Sequence, residues 1–407
     1  MARESAPEVG PDTTAVKPSR LKRFGWRLFV FAATLVGVLA AIEGYARSAY
    51  ENPLVRERQL EGMFVNAEGG GVATQPGFEG ELTVDDLTTE VQLNNLGLRS
   101  PDVGSRAPDE LRVLCLGDSF TFGYGVDADT AYPAMLRRVL AERLGRPVVT
   151  GNAGVPGYGS VEQARCLDRL MDTFDPDVIT MTIYLGNDFR DDQVLDSYVV
   201  DGLALTGVWA RTLRSSWRAR LMMRSRALMW LENSLIQSGH GLAIRPVLSQ
   251  KEKEAAFGYP PEQQQFAGLW MDVVDEGAWR DREGTPIVGR VLDRVATSLR
   301  AMRERAGDVP VLVLILPSWY HLDEADRVGE LQRMELEPDG FRRGLIQERL
   351  QALCADLSIP VLDLTETLDT LVDSRSMYLP VNRHLNADGH HLAADRLATR
   401  IEALLTP

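Results

Sequence analysis

Cysteine is scarce in this sequence. The three present in 407 residues, Cys115, Cys166 and Cys354, are an odd number without paired spacing, which excludes a closed disulfide framework and a zinc cluster. Each lies in an apolar stretch and reads as a free, buried thiol. Positive charge is also in short supply. Lys plus Arg number 44 against 58 Asp plus Glu, a formal net charge of −14. A phosphate-binding face needs a basic excess, so the balance argues against a nucleic-acid partner. Long apolar runs are absent but for one near the N-terminus, which excludes a multi-pass membrane protein. What remains is globular composition, at a length that fits one large α/β domain with appendages, or two domains.

The single long apolar run is Leu28 to Ile42, LFVFAATLVGVLAAI, behind a basic stretch of Lys17, Arg20, Lys22, Arg23 and Arg27. Fifteen residues at ~1.5 Å each fall short of the ~30 Å hydrocarbon core. Flanking residues extend the span if Arg27 and Glu43 sit at the interfaces. Two readings stand, a cleavable secretory signal and an uncleaved signal anchor. The lack of a clean A-x-A site favours the anchor, and the lack of a following cysteine excludes a lipoprotein. Either reading keeps the basic flank cytoplasmic and exports the chain beyond about residue 45. The expected organisation is a cytoplasmic tail over 1–27, a transmembrane anchor over 28–48, and a linker with a lead-in strand over 49–110. A catalytic domain over 111–405 follows, interrupted by a helical insertion over 192–288.

From Leu111 the pattern becomes regular. LRVLCLG (111–117), PVVTGNAG (147–154), DVITMTIYLG (177–186), VPVLVLILP (309–317) and SIPVLDL (358–364) are apolar strands. Helical patterns at about 129–144, capped by Asp129-Thr130, at 161–174, 288–305, 341–356 and 387–405 alternate with them. This predicts a doubly wound, flavodoxin-like parallel sheet of about five strands with helices on both faces. In such sheets ligands bind beyond the strands' carboxyl ends.

Three of those ends carry chemistry. Gly117-Asp118-Ser119 places a hydroxyl where a buried strand turns, beside backbone N–H groups, as an acyl-transfer nucleophile requires. Gly151-Asn152-Ala153-Gly154-Val155-Pro156-Gly157 lets backbone approach a substrate closely. Gly186-Asn187-Asp188 points an amide over the same edge. His384 lies in the loop before the last helix, in HLNADGH.

These four blocks, in this order, resemble the SGNH (GDSL-type) hydrolase family. The anchor with Glu43 and Arg47, then NNLGLRSPD (94–102), is similar to its membrane-anchored bacterial branch. The resemblance covers about 111–190 and 305–405. It implies that Ser119 is the nucleophile and His384 the base. It also implies an oxyanion hole of the Ser119 N–H, Gly154 and Asn187, with no cofactor and no metal. One departure stands out. The family usually has an aspartate two or three residues before the histidine, where this sequence has Asn382 and Val381. An asparagine carbonyl can orient the ring but cannot stabilise imidazolium by charge; in a serine-protease triad that exchange costs about 10⁴-fold. Asp388-Gly-His-His391 spells a decoy D-x-x-H, which reads as the first turn of the last helix, with Asp388 complementing its dipole.

The expected function is an exported serine esterase acting on acyl esters, with small acyl groups on cell-envelope carbohydrate as the substrate implied by resemblance and location. Three alternatives stay open: O-acyl transfer to a polysaccharide, a non-catalytic binding protein on a degenerate site, and a flavodoxin-like cofactor binder. Asp188, Asp191 and Asp192 read as a solvated acidic loop rather than a metal site. His321 reads as a cleft wall or a substrate contact, and His240 as structural or exposed. Within the insertion, residues 202–231 hold six arginines and no acids. Trp209, Leu213, Trp217 and Leu221 recur every four residues there. That fits a basic amphipathic helix at a membrane surface, or a helix packed on the domain with its arginines solvated.

Overall fold

A computed structural model of the chain describes residues 20–49, 62–68, 70–84, 87–192, 197–200, 203–206, 217, 221, 224–237, 267–277, 286–334 and 336–406. The basic tail up to residue 19, His240, Trp209, Leu213 and most of the expected 192–288 insertion lie outside them. The chain divides into two compact units, residues 1–52 with 225–242, and residues 53–224 with 243–407.

In the first unit, helix α1 (Arg20–Ala49) contains an apolar span, Phe24–Ala49, long enough to cross a membrane. From Phe24 on its side chains are exposed along nearly the whole length; among those described, Ala46 alone is buried.

The second unit begins with two antiparallel hairpins, β1 (Phe64–Asn66) with β2 (Val72–Thr74) and β3 (Glu79–Val84) with β4 (Leu87–Gln92). The expectation of a linker here is corrected. Met63, Phe64, Val72, Leu82, Val84, Val91 and Leu98 bury themselves in the same core as the main sheet, so burial of apolar surface holds this segment to the domain.

The main sheet follows with β5 (Leu111–Gly117), α2 (Ser119–Phe122), α3 (Tyr132–Leu144), β6 (Val148–Gly154), α4 (Ser160–Phe174), β7 (Val178–Tyr184) and α5 (Asp188–Asp191). A hairpin of β8 (Ser197–Val200) and β9 (Leu203–Thr206) comes next, then α6 (Arg226–Gln237) of the first unit and α7 (Ala267–Trp270). The second half runs α8 (Ile287–Ala306), β10 (Val311–Leu316), α9 (Trp319–Leu322), α10 (Glu324–Arg333), α11 (Leu345–Asp356), β11 (Val361–Asp363), α12 (Leu364–Leu368) and α13 (Ala387–Leu405).

All pairings in the central sheet are parallel, in the order β11-β10-β7-β5-β6. This is the doubly wound order expected from the sequence. The strands are apolar without alternation because both faces are covered. Leu114 and Leu116 face one core layer with Leu167, Val291 and Leu299, whereas Val113 and Cys115 face the other with Leu136, Leu140, Leu397 and Ile401. Three boundaries differ from expectation. α3 starts at Tyr132 behind Ala131, with proline in its first turn, so Asp129-Thr130 does not cap it. α11 starts at Leu345, after Gly344 in the left-handed region. β11 keeps only three residues. All three thiols are buried, as expected.

One buried cation has no precedent in the sequence analysis. Arg99 donates from Nη1 to the carbonyls of Phe122 (3.0 Å) and Gly123 (2.7 Å), and from Nη2 to those of Glu90 (3.0 Å) and Val126 (3.0 Å). Its guanidinium lies 4.7 Å from the Phe122 ring centre, and burial lowers its pKa to about 10. It ties β4 to the loop that follows α2. Arg99→Ala is expected to lower stability by ~3 kcal/mol, since several buried carbonyls lose charge-assisted donors. Arg99→Lys should recover little, because an ammonium cannot span the fork. The chemical-denaturation midpoint reads both, and an unchanged midpoint in Arg99→Ala would contradict the assignment.

Candidate active site

The site lies at the carboxyl ends of β5, β6 and β7, where the strand order reverses. β5 ends at Gly117, opposite Gly154 at the end of β6. A Cβ on Gly117 would overlap the Thr121 hydroxyl, and one on Gly154 would overlap the backbone of Thr121 and Phe122. Only with two glycines there can α2 turn tightly over the strand ends. Asp118 caps α2, its Oδ1 accepting from Phe120 N at 2.9 Å, and Gly123 (φ 84°) ends it. Below the turn, the Tyr132 hydroxyl lies 3.0 Å from Thr121 Oγ1 and 2.9 Å from Thr182 Oγ1, fastening α2 to β7. Ser119 sits half-buried at the start of this turn.

His384 reaches it from the loop before α13. Its Nε2 lies 2.8 Å from Ser119 Oγ, although 265 residues separate the two. The Asn382 Oδ1 lies 3.3 Å from His384 Nδ1 and accepts the His384 backbone N–H at 3.0 Å. Asn382 therefore folds the loop as an Asx turn and faces the ring with the same oxygen. Arg383 between them holds φ 63°, with its guanidinium 3.7 Å from the Trp319 ring centre. The imidazole lies between the rings of Phe120 (4.6 Å) and Tyr124 (5.0 Å).

His391 is exposed on α13, and Asp388 lies in its first turn; Asn386 caps the helix, accepting from Asp388 N and Gly389 N. The decoy thus stays apart from Ser119. His390 is buried, its Nδ1 accepting from Tyr132 N at 3.2 Å, and burial lowers its pKa to about 3. It is a neutral packing element.

Two expected oxyanion donors occupy different situations. Asn187 is half-buried at the start of α5, and its Nδ2 donates to Asp191 Oδ2 at 2.5 Å. An amide nitrogen carries two hydrogens, so this bond orients the other one. Gly154 is corrected. Its N–H is already donated to Asn152 Oδ1 at 3.1 Å, within a buried strand. Its role is to admit the backbone of α2. The exposed glycine of that segment is Gly157 (φ 84°), in a turn behind Pro156 closed by Tyr158 N to Val155 O at 3.1 Å. Left-handed φ at the third position and proline at the second make it type II.

The acidic loop is likewise corrected. Asp188 and Asp192 are buried rather than solvated. Asp188 accepts from Tyr184 N, and Asp192 accepts from Ser160 Oγ (2.7 Å) and Val161 N (3.1 Å), holding the start of α4. Burial raises Asp118 to about 7 and Asp192 to about 6. Burial and the neighbouring Asp118 charge raise Asp188 well above the carboxylate range. No cluster of ligands suited to a metal occurs among the described residues. His321 is fully buried and does not line a cleft. Its Nδ1 lies 2.8 Å from Ser318 Oγ, its Nε2 is 3.9 Å from Asp272 Oδ2, and burial lowers its pKa to about 3. The roles of Arg99, Asp191 and Asp192 escaped the sequence reading because each is set by a partner in another turn or element: the carbonyls of Phe122 and Gly123, the Asn187 amide and the Ser160 hydroxyl.

Residues 115–392 match the GDSL-like Lipase/Acylhydrolase family. No curated protein matches the sequence. Among solved structures, the lipase/acylhydrolase from Enterococcus faecalis is 14% identical, with 73% of this chain and 98% of that one covered and a TM-score of 0.37. The psychrotrophic esterase EstA from Pseudoalteromonas sp. is 11% identical, with 73% and 99% covered and a TM-score of 0.36. A two-domain esterase active on acetylated mannans is 10% identical, with 73% and 50% covered and a TM-score of 0.37. With the family match spanning most of the catalytic region, the chain belongs to the GDSL-like lipase/acylhydrolase family, the SGNH hydrolases, whose members are generally acyl ester hydrolases.

Proposed function

We propose that the chain is a serine esterase working through an acyl-Ser119 intermediate. The observation that carries this is the 2.8 Å approach of His384 Nε2 to Ser119 Oγ at the carboxyl edge of the sheet. In the first step, Ser119 Oγ attacks the ester carbonyl carbon while His384 Nε2 takes its proton. The carbonyl oxygen gathers negative charge beside the Ser119 N–H and the Asn187 amide, which Asp191 orients. We place Gly157, not Gly154, as the second-block donor, since the Gly154 N–H is spent on Asn152. The imidazolium then gives its proton to the leaving alkoxide as the tetrahedral centre collapses. Water attacks the acyl-enzyme in the reverse sense, losing its proton to His384, which passes it to Ser119 Oγ as the tetrahedral centre collapses and the carboxylic acid is released.

Through these steps Asn382 keeps the ring aligned by accepting Nδ1–H, as a neutral dipole. Asn382→Asp should retain the Asx turn, because a carboxylate also accepts the His384 N–H. It adds charge beside the imidazolium, and kcat on p-nitrophenyl acetate should rise about ten-fold, the equivalent of ~1.4 kcal/mol. His384→Ala and Ser119→Ala should each lose nearly all turnover, while His391→Ala should keep it. A dead His391→Ala variant, or an inactive but folded Asn382→Asp variant, would contradict this assignment.

The cellular setting we propose is an anchored enzyme with residues beyond 49 exported, supported by the apolar Phe24–Ala49 span and the basic residues before it. Acyl groups on cell-envelope carbohydrate would then be within reach. A reporter that functions only outside the cytoplasm, fused after Pro407, is expected to be active, and one that functions only inside, silent. The opposite pattern would reverse the topology.

A further inference from the structure

A carboxylate near the end of an apolar membrane span needs a reason. Glu43 accepts four hydrogen bonds inside the first unit. Arg47 Nε donates from one turn on at 2.8 Å. Ser225 Oγ (2.7 Å), Arg226 N (3.0 Å) and Ala227 N (3.2 Å) donate from a segment more than 180 residues away. The last three form the start of α6 (Arg226–Gln237). Glu43 thus caps the N-terminus of α6 in place of a local side chain, where backbone N–H groups and the helix dipole favour an anion. The contact continues one turn along each helix. Ala46 is buried on α1, and Arg226 and Met229 are buried on α6.

Depth along α1 follows from helix geometry. Glu43 stands nineteen residues after Phe24, the start of the apolar span. At ~1.5 Å per residue that is roughly 28 Å, close to the ~30 Å thickness of the hydrocarbon core. The capped end of α6 is therefore level with the far interface. Among the described side chains of α6, three large apolar ones are exposed: Leu228, Trp230 and Leu231 at 40%, 45% and 47%. An apolar face carrying tryptophan, starting at interface depth and continuous with a lipid-facing span, matches an interfacial helix.

We infer that α6 is a second membrane contact, which lies in the exported-leaflet interface with Leu228, Trp230 and Leu231 in lipid, and that Glu43 fixes it there. The inference rests on reading α1 as a span. It gives the catalytic unit attachments at two places in the sequence, at residue 53 and at the 225–242 excursion. The occupant of the apolar face is the lipid surface.

The test uses the full chain in phosphatidylcholine–phosphatidylglycerol vesicles, with an environment-sensitive fluorophore on Leu231→Cys or, as reference, Val36→Cys. Lipids with a quencher at a shallow or a deep acyl position report depth, and iodide reports water. Leu231→Cys should be quenched at least two-fold more by the shallow lipid than by the deep one, and little by iodide. Val36→Cys should show the reverse lipid order. In the Glu43→Ala background, lipid quenching at 231 should fall at least two-fold and iodide quenching should rise, whereas Glu43→Gln, which keeps an oxygen acceptor, should hold most of it. Iodide quenching of Leu231→Cys without lipid quenching, quenching by neither (a protein partner or second copy covering the face), or stronger deep quenching would each overturn the inference. So would indifference to Glu43→Ala. Loss of lipid quenching at Val36→Cys would overturn the span itself, a separately visible failure.

Discussion

Side-chain volume at two neighbouring strand ends governs the site. Gly117 and Gly154 face each other across β5 and β6, and the first turn of α2 occupies the space their side chains would need. That close approach puts Ser119 at the strand edge and brings the α2 backbone under the reach of Arg99. A Cβ at either position would push α2 outward. The 2.8 Å Ser119–His384 distance would be lost with it, although no catalytic group had changed. In such sites a displacement of about 1 Å is costly, because proton transfer depends steeply on geometry.

The second half of the site is assembled by a loop rather than by the sheet. Asn382 accepts the His384 backbone N–H and lies against its ring nitrogen, so one oxygen both shapes the loop and orients the base. This explains how an asparagine can stand where the family usually has aspartate without dismantling the arrangement. The turn needs an acceptor, and an amide oxygen is one. What the amide withholds is charge, and that affects the transition state far more than the fold. The left-handed Arg383 between the two, stacked on Trp319, is a local cost of a kind often found where a loop is held for chemistry.

How much of this was legible in the sequence depended on range. The parallel strands announced themselves as unbroken apolar runs, because burial on both faces removes alternation. Ser119, Asn187 and His384 stood out at strand ends or before the last helix, and the resemblance to the SGNH family implied their roles. What escaped was set by distant contacts. The 62–98 segment looked like a linker because its strands are only three to six residues long, yet its apolar residues join the main core. Asp188 and Asp192 looked solvated because their donors lie in other elements. Gly154 and Gly157 could not be told apart as oxyanion donors by residue type; the Asn152 side chain distinguishes them by taking the Gly154 N–H. Glu43 looked like an interfacial stray, and its partners Ser225 and Arg226 are more than 180 residues away.

The central claim is that Ser119 is a nucleophile made reactive by His384 despite the neutral Asn382. Intact mass of the protein after exposure to a fluorophosphonate tests this without knowledge of the substrate. The account predicts a single adduct, located at Ser119 by peptide mapping, formed at least a hundred-fold more slowly in His384→Ala and absent in Ser119→Ala. An unmodified wild-type protein, or an adduct that persists in Ser119→Ala, would contradict it.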